Sequence, residues 1–261
     1  EALEKLETGV DRAVLSTDDP SVYRYDQMDT NSSENSSMQM GTNSTAYYFS
    51  VASSSIANFF DEMYLNTPWE QHYNNLDGRT ILDRLASVKY FVVKKGKESD
   101  LPYGYSRLSG EAEKNGKTYL AYADEDALPL GYTYDSWISR EDYDKMTVTE
   151  KQQALLQGVV LDDSSLPETE THFNDREVSY YTSEGKGCRL KNGKVVVTQE
   201  NAQLKLVFKG EENAETYLIT EGLDYEGLSP REMISGKKWS KMTTYEQNKL
   251  LEENSNWRYW K

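Results

Sequence analysis

Apolar residues recur at helical spacing over residues 1–15, with Leu3, Leu6, Val10 and Val14 on one face. Val22 to Met28 reads as a short strand. Residues 29–46 are so rich in Asn, Ser and Thr that they read as a loop. Ser54 or Ser55 is the expected cap of a helix through Leu65 that gathers Ile56, Phe59, Phe60 and Met63 on one side; Pro68 stops any continuation. Asp77 is the expected cap of the next helix, with Ile81, Leu82 and Leu85 facing inward. Val88 to Val93 follows at once, and its near-continuous apolar run predicts a central strand covered on both faces. Lys117 to Ala123 is another strand, preceded by a tight turn at Asn115-Gly116. Ser139 with Asp142 forms a weak capping box. Thr147 with Glu150 forms a strong one, opening a helix from Thr147 to Gln157 that Gly158 ends. Val159 to Leu161 begins the next extended segment.

The pattern then changes. Residues 162–176 are acidic and irregular, which places a boundary between a domain over 1–160 and a second over 161–261. Glu177 to Thr182, Lys194 to Thr198, Gln203 to Lys209 and Glu215 to Glu221 are short alternating runs separated by turn residues, among them the hairpin signal Asn192-Gly193. They predict a β-rich, sandwich-like domain, although four strands are few for a closed sandwich. Ser229-Pro230-Arg231-Glu232 and Thr243 with Glu246 open peripheral helices near its end. The expected fold class is therefore mixed α/β and α+β, with an N-terminal α/β domain built on the strand at 88–93 and a β-rich part behind it.

Composition narrows the function classes. Apolar residues are 37% of the chain, a low share for which 20 tyrosines compensate, because each buries a ring and keeps a polar tip. A formal net charge of −15 argues against nucleic acid as a partner and against polybasic membrane attachment. The single cysteine, Cys188, permits no internal disulfide; it sits in an expected turn, where a lone thiol carries no redox implication. With two histidines, His72 and His172, a catalytic metal centre is not expected; carboxylate-bound calcium stays open. No cofactor motif is present. No window reaches the length of a membrane span, and no signal peptide opens the chain. Starting at Glu1 and ending on Trp257-Arg258-Tyr259-Trp260-Lys261, it reads as a segment of a longer protein. Asn31, Asn35 and Asn43 lie in Asn-x-Ser/Thr sequons, which chance accounts for equally well in so Asn/Ser-rich a stretch.

Candidate chemistry centres on two near-copies, Leu101-Pro102-Tyr103-Gly104-Tyr105 and Leu128-Pro129-Leu130-Gly131-Tyr132-Thr133-Tyr134. Trp69, Tyr103, Tyr105, Tyr132, Tyr134 and Trp137 are candidate sugar-binding rings, since a flat apolar face suits the C–H face of a pyranose. Packing of the same rings in the core is the competing explanation. Acidic groups such as Asp124-Glu125-Asp126 and Asp162-Asp163 invite a glycosidase reading, but with 44 acids adjacency means little, and solvated loops explain them. Ser53 to Ser55 with His72 lacks the elbow and third partner of a triad. No residue is assigned a catalytic role.

Several segments in order resemble the YfhO-type bacterial membrane proteins. They are Tyr23-Arg24-Tyr25, Tyr47-Tyr48-Phe49-Ser50, Leu85 to Val93, Leu101-Pro102-Tyr103-Gly104, Ala127 to Tyr132 and Glu150 to Leu156. The resemblance implies a polytopic membrane glycosyltransferase that uses lipid-linked sugar to modify cell-envelope polymers such as lipoteichoic acid. This chain would be its extracytoplasmic domain, with its own transmembrane region, a glycan or teichoic-acid polymer and the lipid-linked sugar as partners. The family's proposed catalytic carboxylate lies in an early membrane loop that no position here matches. The alternatives are a stand-alone surface carbohydrate-binding protein or a glycoside hydrolase.

Overall fold

The computed structural model describes residues 21–27, 35, 37–38, 42–51, 53–65, 72–73, 75–114, 116–199, 202–212, 214–219 and 243. Helices expected over 1–15 and after Ser229, Trp69, Pro68 and the sequon at Asn31 lie outside the described residues. The chain divides into two compact units, with the described residues 21–173 in the first and 174–219 in the second. The protein is mixed and strand-rich, with short helices.

The first unit is organised by a four-stranded sheet. Its strands are β1 (Arg24–Gln27), β4 (Val88–Lys94), β5 (Ser106–Lys114) and β6 (Lys117–Ala123), in the order β1-β4-β6-β5. β1 runs parallel to β4, while β6 is antiparallel to both β4 and β5. The expected central strand is thus central. Tyr90 and Val92 are buried in one cluster, and Phe91 and Val93 in another, as alternation across a sheet with two covered faces requires. Between β1 and β4 lie β2 (Tyr47–Tyr48), α1 (Ser54–Glu62), β3 (His72–Tyr73) and α2 (Thr80–Leu85).

Both helices depart from expectation at their ends. α1 begins after Ser53, whose side chain makes no cap hydrogen bond, and stops at Glu62, because Tyr64 takes a left-handed φ of 52°. The Arg79 guanidinium donates to the buried carbonyl of Met63 there. α2 begins after Arg79, with no side-chain cap, rather than at Asp77, which sits in a turn closed by Asn75 Oδ1 accepting from its amide at 2.9 Å.

After the sheet come β7 (Trp137–Ser139), α3 (Arg140–Asp144), α4 (Val148–Ala154) and β8 (Val159–Leu161), with β7 and β8 parallel. The Ser139 hydroxyl caps α3, and the Thr147–Glu150 box is formed in both directions at the start of α4. α4 is shorter than expected; its last turn is completed by Gln157 and Gly158 amides donating to Ala154. Ile138, Tyr143 and Ala154 join Phe60, Met63, Tyr73 and Leu82 in one buried cluster.

Two sequons serve the fold. The Asn35 amide exchanges hydrogen bonds with the Tyr48 backbone, and Asn43 donates to the Tyr23 carbonyl. Beside Asn43, Ser44 and Thr45 clasp Asp26, a fully buried carboxylate on β1. It accepts from Ser44 Oγ at 2.6 Å, from the Thr45 amide at 2.9 Å and from the Thr45 hydroxyl. Burial outweighs these donors and raises the Asp26 carboxyl above the usual range. Its proton is therefore held to higher pH in the folded than in the unfolded chain. The associated stability is fully present below the unfolded value and lost as pH rises through the folded one. Asp26→Asn should flatten that slope, so the stability difference should move in the variant's favour as pH rises; urea titrations across the acidic range check the sign.

The second unit holds β9 (Tyr180–Lys186), β10 (Cys188–Lys191), β11 (Lys194–Val197) and β12 (Gln203–Phe208). β9 pairs with β12, and β10 with β11, both antiparallel. Asn192 and Gly193 both take left-handed φ values, 51° and 71°, which is the hairpin turn the dipeptide predicts. Cys188 lies in a strand, not a turn. The strand expected from Glu215 is absent over 215–219.

Candidate functional site

The two near-copies dock on the same short helix. At the start of α2, Thr80 Oγ1 donates to the Tyr103 carbonyl at 2.5 Å. At its end, the Leu128 amide donates to the Arg84 carbonyl at 3.1 Å, and Ser87 Oγ donates back to the Leu128 carbonyl. Tyr132 reaches the same end, its hydroxyl 3.3 Å from the Leu85 carbonyl. Ser87 joins α2 to β4 in a left-handed conformation, φ 62°, and the second copy holds it there.

Between these anchors lies a charged knot that the sequence reading missed. Arg84 Nε is 2.6 Å from Asp124 Oδ2, its Nη2 is 3.1 Å from Asp124 Oδ1, and the same Nη2 is 2.9 Å from Asp126. Asp124 is 1% exposed, so the solvated-loop reading holds for Glu125 and Asp126 but not for it. The bidentate fork is the strong arrangement of this pair, and the Asp124 hydrogen bond raises the Arg84 pKa further. Asp124 also accepts from the Asp126 amide at 3.0 Å, turning the chain toward the second copy.

The glycines of the two copies are not equivalent. Gly104 has φ 90°, and a Cβ there would meet Arg84 Nη2 at 3.2 Å and Thr80 Cγ2 at 3.5 Å; Gly131 has neither constraint. Gly104→Ala should therefore cost about 1–2 kcal/mol in backbone strain alone, whereas Gly131→Ala should stay within about 0.5 kcal/mol. Chemical denaturation of the two variants side by side checks the contrast.

The tyrosines diverge as well. Tyr105 is buried, its ring edge-on to Phe91, and its hydroxyl donates to the Val88 carbonyl at 2.8 Å. Burial, then the charge of Asp83, raise its pKa far above the ordinary phenol value, so it stays a donor. Its counterpart Tyr132 is 39% exposed, and Tyr103 is 47% exposed. Tyr134 packs edge-to-face on Tyr132 at 5.5 Å and donates to the Leu155 carbonyl; burial and the Tyr132 hydrogen bond raise its pKa. Trp137 lies in β7, its backbone paired with Pro167 and Thr169. The structure thus ties Tyr103, Tyr105 and Tyr132 to α2 or its flanks by hydrogen bonds, sets Tyr134 against Tyr132 and Leu155, places Trp137 in β7 beside β8, and leaves Leu130 exposed.

Among the described residues no group of three His, Cys, Asp or Glu side chains is placed to hold a metal ion. No described helix is long and apolar enough to cross a membrane. No solved structure matches the chain. One relative is the "Uncharacterized protein YfhO" of Bacillus subtilis (strain 168), 25% identical over 193 residues, which are 73% of this chain and 22% of the relative. The chain thus spans about a fifth of that relative's length. The profile of the family described as "Bacterial membrane protein YfhO" matches residues 2–252. The chain belongs to that bacterial membrane protein family.

Proposed function

We propose that the chain is an extracytoplasmic part of a membrane glycosyltransferase that moves sugar from a lipid-linked donor onto a cell-envelope polymer such as lipoteichoic acid. The sugar transfer and the outer location follow from the resemblance; membership in a membrane protein family supports them and does not favour a stand-alone carbohydrate-binding protein or a hydrolase. In this reading residues 1–160 and the sandwich-like 161–261 are successive parts of the outer portion. The segment positions donor or acceptor and has no activity alone. The observation that carries the positioning role is the α2 platform, where the Thr80 hydroxyl holds the Tyr103 carbonyl and the Leu128 amide holds the Arg84 carbonyl while Tyr103, Leu130 and Tyr132 stay exposed. Exposed aromatic side chains on an anchored backbone suit a carbohydrate surface.

The test has two arms. Cells lacking the full-length protein are complemented with wild type or with a Tyr103→Ala/Tyr132→Ala variant, and sugar on the isolated envelope polymer is quantified. The variant should restore several-fold less sugar than wild type. Separately, the isolated chain is incubated with lipid-linked sugar and acceptor. Turnover without the membrane part would refute the accessory role, and full restoration by the double variant would refute the platform.

A further inference from the structure

We infer that the β10–β11 hairpin of the second unit docks on an anionic lipid surface, resting at headgroup level. The strand register carries the argument. Arg189 pairs with Val196 and Lys191 with Lys194, and directly opposed residues of an antiparallel pair lie on the same face. Side chains alternate along each strand with a period of two. Arg189, Lys191, Lys194 and Val196 therefore share one face, while Cys188, Leu190, Val195 and Val197 share the other. The first face is the outward one, since Arg189, Lys191 and Lys194 are exposed and Cys188 and Leu190 are half-buried. From Gly185 to Thr198 the sequence holds four cations and no Asp or Glu, in a chain of net charge −15. Among the described residues, Arg189, Lys191 and Lys194 enter no ion pair, while Arg176 of the same unit meets Glu211 at 3.2 Å. Lys191 and Lys194 stand directly opposite each other. Like charges so placed destabilise a strand pair, and an anion lying across both removes that repulsion. Screening over about 8–10 Å lets this face act by its own sign rather than by that of the whole chain.

Phosphate is the complementary chemistry, and the valines select its source. β11 is exposed at every residue, with Val195 at 51%, Val196 at 36% and Val197 at 63%. A hydrated phosphodiester polymer would neutralise the cations and leave three valine side chains in water. The interface of a bilayer takes both, because apolar groups beside cations are what binds there. The chain belongs to a membrane protein family, so its parent meets a bilayer. The hairpin stays at headgroup depth. Among the described residues β10 and β11 form a two-stranded sheet, and the open backbone edge of β11 is barred from hydrocarbon. The inference stands on this hairpin and on family membership, not on sugar transfer.

The experiment measures partitioning of the 261-residue chain onto vesicles by sedimentation at low salt. Vesicles of phosphatidylglycerol with phosphatidylcholine should bind it, and vesicles of phosphatidylcholine alone should bind it at least about tenfold less. Each cation near an anionic surface contributes about fivefold, so Arg189→Gln/Lys191→Gln/Lys194→Gln should lose about a hundredfold and Lys194→Gln alone about fivefold. Lys95→Gln/Lys97→Gln/Lys117→Gln makes the same charge change on exposed residues of the first unit and should lose less than about twofold. Val195→Thr/Val197→Thr keeps the side-chain shape and should weaken vesicle binding several-fold. Lys194→Gln removes a like-charge pair, so its melting temperature should not fall below that of wild type, which separates docking from folding. Equal binding to the two vesicle types, binding to neither, or equal losses for the two triple variants would overturn the inference. So would a soluble glycerol phosphate polymer that binds as tightly as the anionic vesicles and ignores the threonine changes, since the hairpin would then be a polymer site.

Discussion

Phe91→Ala is expected to destabilise the first unit by about 3–5 kcal/mol, the usual cost of removing a buried aromatic ring from a packed core. Phe91 is fully buried at the middle of β4. It stands between Asp26 on β1 and Tyr122 on β6 in the sheet register, and its ring meets that of Tyr105 at a centroid distance of 5.4 Å. The lost contacts therefore lie in the sheet that carries both the buried Asp26 clasp and the first Leu-Pro-x-Gly-Tyr segment. Folded domains are stable by about 5–15 kcal/mol, so this one change removes a large share. At about 2–4 °C per kcal/mol for a unit of this size, the melting temperature should fall by about 6–20 °C. Thermal melting by circular dichroism checks it, with Val195→Ala on an exposed strand of the second unit as reference; that change should stay within about 0.5 kcal/mol. Equal shifts for the two variants would mean that β4 is not the centre of the core.

Arg84→Met keeps much of the stem and removes the charge. Asp124 would then be a buried carboxylate with no countercharge, a situation that costs about 3–5 kcal/mol when one partner of a buried pair is deleted. The guanidinium side is 29% exposed, and water partly compensates there, so about 2–3 kcal/mol is the expected loss. Adding Asp124→Asn to the Arg84→Met variant should recover more than half of it. The amide needs no countercharge and still accepts from the Asp126 backbone. A double-mutant cycle by urea denaturation reads the coupling directly. Additive losses would show that the fork contributes nothing beyond its separate side chains.

Much of the first unit was legible along the chain because its signals are local. A run such as Val88 to Val93 has nowhere to go but a doubly covered strand, and the Thr147–Glu150 box closes within four residues. The Asn192-Gly193 hairpin is likewise a property of two residues. β5 escaped notice because it is an edge strand. Its sequence is polar and charged, and its register slips between Arg107 and Glu111, which is how an exposed edge avoids pairing further. Helix ends were misplaced where a left-handed residue, Tyr64, or an Asx turn at Asn75 interrupted a pattern that periodicity alone would extend.

What the amino-acid order determined by itself is therefore the class of the strongly patterned elements, the central place of β4 and membership in a membrane protein family, all carried by short-range pattern or by motif order. What the tertiary structure alone decided is which of two near-identical motifs is core and which is surface. Tyr105 and Tyr132 close near-copies of the same Leu-Pro-x-Gly-Tyr motif, yet one donates to the Val88 carbonyl in the interior and the other to the Leu85 carbonyl at a helix end. That difference, like the Arg84–Asp124 fork across 40 residues of chain, depends on which distant groups the fold brings within hydrogen-bond reach, and no local pattern encodes that distance.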